Sequence, residues 1–83
     1  MNDNVSNAGI IAGTKVLKAR KKAGMDRAEL GDALQMQEDT IRGWEHDGLY
    51  NKILDRIIDL HIALDAPLWS LLPTERELGL KTQ

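Results

Sequence analysis

The chain has 83 residues and a formal net charge of −2, and its length suits one small domain rather than two. It has no cysteine, which excludes disulfide bonds and thiolate metal sites. Its sequence shows no apolar run of membrane-spanning length, and residues 1–11 lack the charged start and apolar stretch of a secretory signal. We therefore expect a cytoplasmic protein.

Charge is distributed unevenly along the chain. Residues 1–24 carry five basic side chains and one acidic one, a net charge of +4. Residues 25–50 carry two basic and seven acidic side chains, a net charge of −5, and residues 51–83 have a net charge of −1. The middle of the chain is therefore strongly acidic, while the segment before it is basic.

The predicted elements begin with a flexible N-terminal tail over residues 1–12, which are rich in polar residues. A first helix is predicted over about 13–23, with Val16 and Leu17 on its apolar side. Gly24 follows in the position that often ends a helix. All five basic residues of residues 1–24 lie on this predicted helix.

A second helix is predicted over about 27–34. Asp26 and Glu29 have the spacing of a capping box, in which each side chain accepts from the other residue's backbone N–H. Gly31 is unfavourable in the middle of a helix, and its small size indicates close approach by another helix. The side chains expected to face inward are Ala28, Leu30, Ala33 and Leu34.

Three further helices are predicted. The third covers about 38–46, and the fourth covers about 51–64 and has the clearest helical period. A short fifth helix, 68–72, precedes a polar C-terminal tail at 73–83. The inward residues expected on or near the third helix are Met36, Ile41 and Trp44. Those expected on the fourth are Ile53, Leu54, Ile57, Ile58, His61 and Leu64.

Four segments carry a family resemblance through their order and spacing. They are KARKKAG at 18–24, AEL at 28–30, TIRGWE at 40–45 and LWSLL at 68–72. With these segments, residues 13–72 resemble the Cro and phage-repressor type of helix-turn-helix domain. The resemblance implies an all-α, compact five-helix, λ-repressor-like fold with its helix-turn-helix at about 27–46.

The resemblance also implies a structural ion pair. Arg20 matches an arginine at the end of the family's first helix, and Glu45 matches a glutamate at the end of the recognition helix. The family joins these two side chains across the domain. An arginine can bind a carboxylate through two parallel hydrogen bonds, so the pair is expected to be a structural clamp.

The same comparison implies a set of DNA contacts. Arg27 opens the second helix, where the family binds the phosphate backbone. The recognition helix supplies the others: Gln37, Glu38, Asp39 and Arg42. Gln37 suits adenine, and Arg42 suits guanine or a phosphate. The candidate DNA-binding set therefore comprises these five residues.

Two interpretations of the charged residues stay open at this point. Glu38 and Asp39 either accept from cytosine amino groups or complement the dipole of their own helix. Acids near a duplex oppose the counterion release that drives most of the affinity. The basic side chains of the first helix either approach the DNA backbone or form a solvated face. These are Lys15, Lys18, Lys21 and Lys22.

The last apolar segment also has two interpretations. Leu68, Trp69 and Leu72 either close the core or form a candidate homodimer patch. A two-fold dimer would bring two reading helices to successive major grooves.

The sequence therefore favours a sequence-specific DNA-binding transcriptional regulator, like those of phages and mobile elements, that acts on an operator as a homodimer. The alternative is a protein-binding module whose acidic face docks and inhibits a basic partner, such as another DNA-binding regulator. No enzyme, cofactor or metal site is expected. His46 and His61 are isolated, and no nucleophile–base pair or phosphate-binding loop is evident.

Overall fold

The computed structural model describes residues 7–47 and 50–79, and this part of the chain contains helices and no strand. The α-helices are α1 (Asn7–Lys22), α2 (Arg27–Leu34), α3 (Glu38–Asp47), α4 (Tyr50–Asp55) and α5 (Ile57–Leu64). A single 3-10 turn, Leu68–Ser70, follows α5. The prediction of an all-α fold with five helices is confirmed, although the last two α-helices have other bounds than those predicted.

The core lies between α1, α3 and the helices that flank them. Trp44 of α3 is its largest side chain and is 1% exposed. The remaining members are aliphatic, as expected from an aromatic content of 4%. They are Ala12, Val16, Leu30, Leu34, Ile41, Ile53, Leu60, Leu64, Ala66 and Leu71. Only one side of α3 packs into this core.

The predicted boundary of the N-terminal tail is wrong. Helix α1 begins at Asn7 rather than at residue 13, and residues 7–12 form its first turns. Ala12 is fully buried in the core, which explains why the helix extends beyond the basic segment. Residues 1–6 of the predicted tail lie outside the described residues.

Part of the predicted C-terminal tail contacts the domain. The Glu77 carboxylate lies 2.8 Å from the Lys15 ammonium of α1. Thr74 and Glu77 also exchange hydrogen bonds between side chain and backbone N–H, at 2.9 and 3.1 Å. These contacts attach residues 73–79 to α1, and residues 80–83 lie outside the described residues.

Helix α2 begins as the sequence predicts, with a complete capping box. The Glu29 N–H donates to Asp26 Oδ1 at 2.8 Å, and the Asp26 N–H donates to Glu29 Oε1 at 2.8 Å. Ala28 and Ala33, however, are exposed. The inward side of this short helix is narrow and is formed by Leu30, Gly31 and Leu34.

Gly31 allows the turn between α2 and α3 to fold back onto α2. A Cβ atom at this position would lie 2.6 Å from the Met36 carbonyl oxygen. The Met36 N–H donates to the Gly31 carbonyl at 2.7 Å, and Gln35 adopts a left-handed conformation with φ 59°. The close approach expected at Gly31 is therefore made by the turn, and the expectation of another helix is wrong.

The predicted fourth helix is interrupted at Arg56, which separates α4 from α5. The Arg56 guanidinium donates to the Leu34 carbonyl at the end of α2 (2.9 Å) and to Asp59 Oδ2 (2.8 Å). This long-range contact satisfies a carbonyl that a helix end leaves without a partner. Tertiary structure thus overrides the continuous helical period of the sequence.

Two further predictions about this region are corrected. Leu54 and Ile58 are exposed, at 38% and 54%, and Leu60 is buried in their place. The predicted fifth helix is only the 3-10 turn Leu68–Ser70. Pro67 and Pro73 bound this segment, and the space between them suits a short 3-10 turn rather than a regular helix.

Candidate functional site

Helix α3 presents polar residues outward while its opposite side is buried. Ile41, Trp44 and Glu45 form the buried side. The exposed side carries three of the predicted DNA contacts, Glu38, Asp39 and Arg42, and a fourth, Gln37, is exposed in the turn immediately before the helix. A three-residue turn joins α3 to α2, so the two helices have the helix–turn–helix arrangement expected from the sequence.

The buried side of α3 is joined to α1 through Arg20 and Glu45. Arg20 Nε donates to Glu45 Oε2 at 2.7 Å, and Arg20 Nη2 donates to Glu45 Oε1 at 3.2 Å. The two side chains are 8% and 0% exposed. Arg20 Nη1 also donates to the Met25 carbonyl at 2.9 Å. This bidentate ion pair fixes α3 to the end of α1.

Arg27 belongs to the same charged cluster, which sequence reasoning missed. Its Nε donates to Glu45 Oε1 at 2.9 Å. Its Nη2 lies 2.9 Å from His46 Nε2, a contact that requires this ring nitrogen to act as acceptor. Two arginines therefore share one buried carboxylate, and the cluster has a surplus positive charge beside an exposed histidine.

On the exposed side of α3, Arg42 pairs with Asp39 one turn earlier. The hydrogen bond to Asp39 and its negative charge raise the pKa of Arg42, with a smaller contribution from the charge of Glu38. The side chains of Arg42 and Asp39 are 56% and 78% exposed. Water reaches both groups, so this pair can open and accept another partner.

With these contacts made, the exposed side chains of α2 and α3, which together form the α2–α3 surface, leave that surface acidic. Both of its arginines, Arg27 and Arg42, are paired with carboxylates. By contrast, the carboxylates of Asp32 and Glu38 are exposed, and within the described part of the chain neither accepts a hydrogen bond. The charge imbalance seen in the sequence is therefore displayed on the surface of the candidate site.

The lysines of α1 do not act as one group. Lys15 donates to the carbonyls of Trp69 and Leu72 at 3.1 and 2.8 Å, in addition to its contact with Glu77. The other three, Lys18, Lys21 and Lys22, are exposed. Lys15 therefore has a structural contact, and both interpretations of the lysines stay open for Lys18, Lys21 and Lys22 only.

The candidate dimer patch is only partly accessible. Trp69 is 71% exposed and Leu68 is 37% exposed, whereas Leu72 is half-buried. Leu71, and not Trp69, closes the core from this segment. Three further large apolar side chains are exposed on α4 and α5: Leu54, Ile58 and Ile62, at 38%, 54% and 70%.

Within residues 7–47 and 50–79, no cluster of three acidic, histidine or cysteine side chains is placed to bind a metal ion. Across the same residues, no helix combines the length and apolar character that crossing a membrane requires.

No protein-family model matches the chain, and comparisons with curated proteins and with solved structures give no match.

Proposed function

We propose that this chain is a sequence-specific DNA-binding regulator that reads an operator through α3 as a homodimer. The observation that carries this proposal is the two-sided character of α3. Its inner side is fixed by the buried Glu45 cluster, while its outer side exposes Glu38, Asp39 and Arg42, next to the exposed Gln37 of the preceding turn. A firmly seated helix with outward hydrogen-bonding groups suits the major groove.

Each outward side chain has a role compatible with its chemistry. The Gln37 amide can pair with an adenine, and the Arg42 guanidinium can pair with a guanine once Asp39 reorients. Arg27 uses two of its nitrogens in the Glu45–His46 cluster. Since a guanidinium has five N–H donors, Arg27 retains donors for a phosphate oxygen.

The acidic α2–α3 surface has a consequence for the salt dependence of binding. Binding would neutralise few phosphates of the DNA, because Arg27 and Arg42 each already face a carboxylate. We therefore expect weak binding to random duplexes and a shallow decrease of affinity with salt. Specificity would come from base contacts rather than from general attraction.

For the dimer, we propose the surface formed by Leu54, Ile58 and Ile62. These three apolar side chains are all exposed and recur every four residues along α4 and α5. Ile58→Glu should convert the dimer to a monomer in sedimentation analysis, because it places a charge in an apolar interface. Ile10→Glu, a similar change at an exposed isoleucine of α1, should leave the dimer intact.

The DNA-binding proposal is tested by selecting duplexes from a random pool at low ionic strength and titrating the enriched sequence by fluorescence anisotropy. Arg42→Glu should abolish binding without unfolding the chain. Lys21→Glu, the same charge change on α1, should retain it. A pool without enrichment, and no complex even at low salt, would count heavily against DNA binding. Unchanged affinity in Arg42→Glu would show that α3 is not the reader.

A second candidate function is a module that docks a basic protein partner through the same surface. The observation in its favour is that Asp32 and Glu38 present exposed carboxylates without a hydrogen-bond donor among the described residues, while the neighbouring arginines are paired. Complementary charge would then guide association with the partner.

The charge-reversal variant Glu38→Lys/Asp39→Lys tests this alternative in capture experiments against basic regulators of the same cell. A partner held by wild type and lost by this variant supports the alternative. Asp55→Lys/Glu75→Lys makes the same charge change at exposed positions elsewhere and should keep the partner. Equal capture by all three proteins would remove the acidic surface from consideration.

A further inference from the structure

A groove runs along α1 on a different surface from the α3 contacts. It has a volume of about 1000 Å³ and lies between α1 and residues 63–70. The residues of its α1 wall recur every four positions, from Ile10 and Ile11 to Lys22, the last residue of α1, and the adjoining Ala23. At a rise of 1.5 Å per residue, this wall is about 18 Å long. A groove of this length accommodates about three turns of a second helix.

The groove has a largely apolar lining that includes an exposed aromatic residue. Ala63, Ala66, Pro67 and Trp69 form the wall opposite α1. Trp69 is 71% exposed, and Ile10 on the α1 side is 52% exposed. Aromatic side chains that a partner buries commonly provide much of the affinity of a protein–protein contact. Covering these two residues would remove apolar surface from water.

Unpaired positive charge lines the same groove. Lys18 and Lys22 are exposed, and neither has a hydrogen-bond or ion-pair partner within the described part of the chain. Helix α1 contains no acidic residue. The two acids that line the groove are Glu77, which is held by Lys15, and Asp65. The charge at the α1 wall is therefore complementary to carboxylates on an incoming ligand.

We propose that this groove binds an acidic amphipathic helix of a partner protein. The apolar side of that helix would cover Trp69 and Ile10, and its carboxylates would reach Lys18 and Lys22. Helix-in-groove recognition uses this combination of an apolar stripe and flanking charge. A small ligand would fill only part of the length. The surface is separate from α3, so the chain has room for DNA and a partner helix at once.

The proposal is tested with a fluorescein-labelled synthetic helix of about 14 residues, with leucines at helical spacing and glutamates elsewhere. A matched peptide carries glutamine in place of every glutamate. We expect anisotropy titration to show binding of the acidic peptide and at least about tenfold weaker binding of the glutamine peptide. Binding should also blue-shift the emission of exposed Trp69, with Trp69→Phe as the reference for the signal of buried Trp44.

Two variants and a matched control locate the binding surface. Lys18→Glu/Lys22→Glu and Trp69→Ala should each weaken binding of the acidic peptide at least about tenfold. Lys21→Glu changes a neighbouring exposed lysine that does not line the groove, and it should bind within about twofold of wild type. Arg42→Glu should also bind the peptide normally, which separates this proposal from DNA reading through α3.

Several outcomes would overturn the proposal. Equal loss in Lys21→Glu would show general charge attraction without a site. Self-association of the wild type that Trp69→Ala or Lys18→Glu/Lys22→Glu abolishes would show that a second copy fills the groove. Binding of dodecanoate or anilinonaphthalene sulfonate without binding of the peptide would identify a small-molecule site instead. Absence of peptide binding at low ionic strength would exclude the groove as a receptor for acidic helices.

Discussion

The two sides of α3 carry the same kind of contact in opposite surroundings. On the inner side, Arg20 and Glu45 are 8% and 0% exposed, whereas on the outer side Arg42 and Asp39 are 56% and 78% exposed. Removing one partner of the inner contact leaves the other charge buried without water or a counter-charge, which lowers the free energy of unfolding strongly. The outer contact exchanges readily with water. Burial, rather than residue type, thus separates a structural contact from one available for recognition.

The largest expected effect comes from a substitution that breaks the inner contact. Glu45→Gln removes the carboxylate that Arg20 and Arg27 share, and leaves Arg20 buried without a counter-charge. We expect the free energy of unfolding to fall by about 3–5 kcal/mol, measured by urea denaturation.

Glu38→Gln is the matched control, because Glu38 is exposed on the same helix. A loss in Glu45→Gln as small as that in the control would mean that the inner contact does not hold α3 in place.

The next effect concerns the turn that orients the outer side of α3. Gly31→Ala places a Cβ where the Met36 carbonyl lies within 2.6 Å, so the turn must shift. We expect a loss of about 1–3 kcal/mol in the free energy of unfolding and weaker binding of the selected duplex. Asp32→Ala, at the next and exposed position of α2, should change stability by no more than about 0.5 kcal/mol. An unaffected Gly31→Ala protein would contradict the tight turn.

A smaller effect separates the two interpretations of the outer acids. Asp39→Asn removes a negative charge from the first turn of α3 and releases Arg42, and the lost interaction with the helix dipole should lower the free energy of unfolding by about 0.3–1 kcal/mol. If Asp39 complements the helix dipole and does not contact a base, its removal leaves Arg42 unpaired, so affinity for the selected duplex rises and its salt dependence steepens. We expect this result, measured by anisotropy at several salt concentrations. A loss of affinity confined to duplexes with cytosine at one position would instead assign base reading to Asp39.

The smallest expected effect lies outside α3, where Lys15 meets Glu77. The hydrogen bond from Lys15, followed by that from the Thr74 N–H, lowers the pKa of Glu77 from its ordinary value of 4.5. The contact therefore stabilises residues 73–79 fully above pH 4.5, and this stabilisation is lost as the pH falls through the lowered pKa.

NMR titration of the Thr74 and Glu77 amides should follow this release. Lys15→Gln should move the midpoint back toward the ordinary pKa of a glutamate. An unchanged midpoint would show that Lys15 does not hold the segment.

Local signals in the sequence were sufficient for much of the fold. The Asp26–Glu29 capping box uses residues three apart, and Gly24 adopts the positive φ of 74° that a helix end favours. The exposed side of α3 also follows from periodicity, because Ile41 and Trp44 define the buried side. These features depend on neighbouring residues and are therefore visible in the sequence.

Features that depend on distant residues were not predictable in this way. The break at Arg56 follows from its bond to the Leu34 carbonyl, 22 positions away. The pairing of Arg27 with Glu45 joins residues 18 positions apart, and it changes the expected availability of Arg27 for phosphate. Helical spacing alone also could not show that Leu54 and Ile58 face outward, because the predicted helix is interrupted at Arg56, between these two residues.

The hydrogen bond from Arg56 to the Leu34 carbonyl links α2 directly to the start of α5. In a dimer built on α5, this link would couple the position of one subunit directly to α2 and α3, the helices that we propose bind the operator. The gap between the two reading helices would then be set by rigid helices rather than by a pliable linker. An operator with one base pair added between its half-sites should consequently bind only one subunit well.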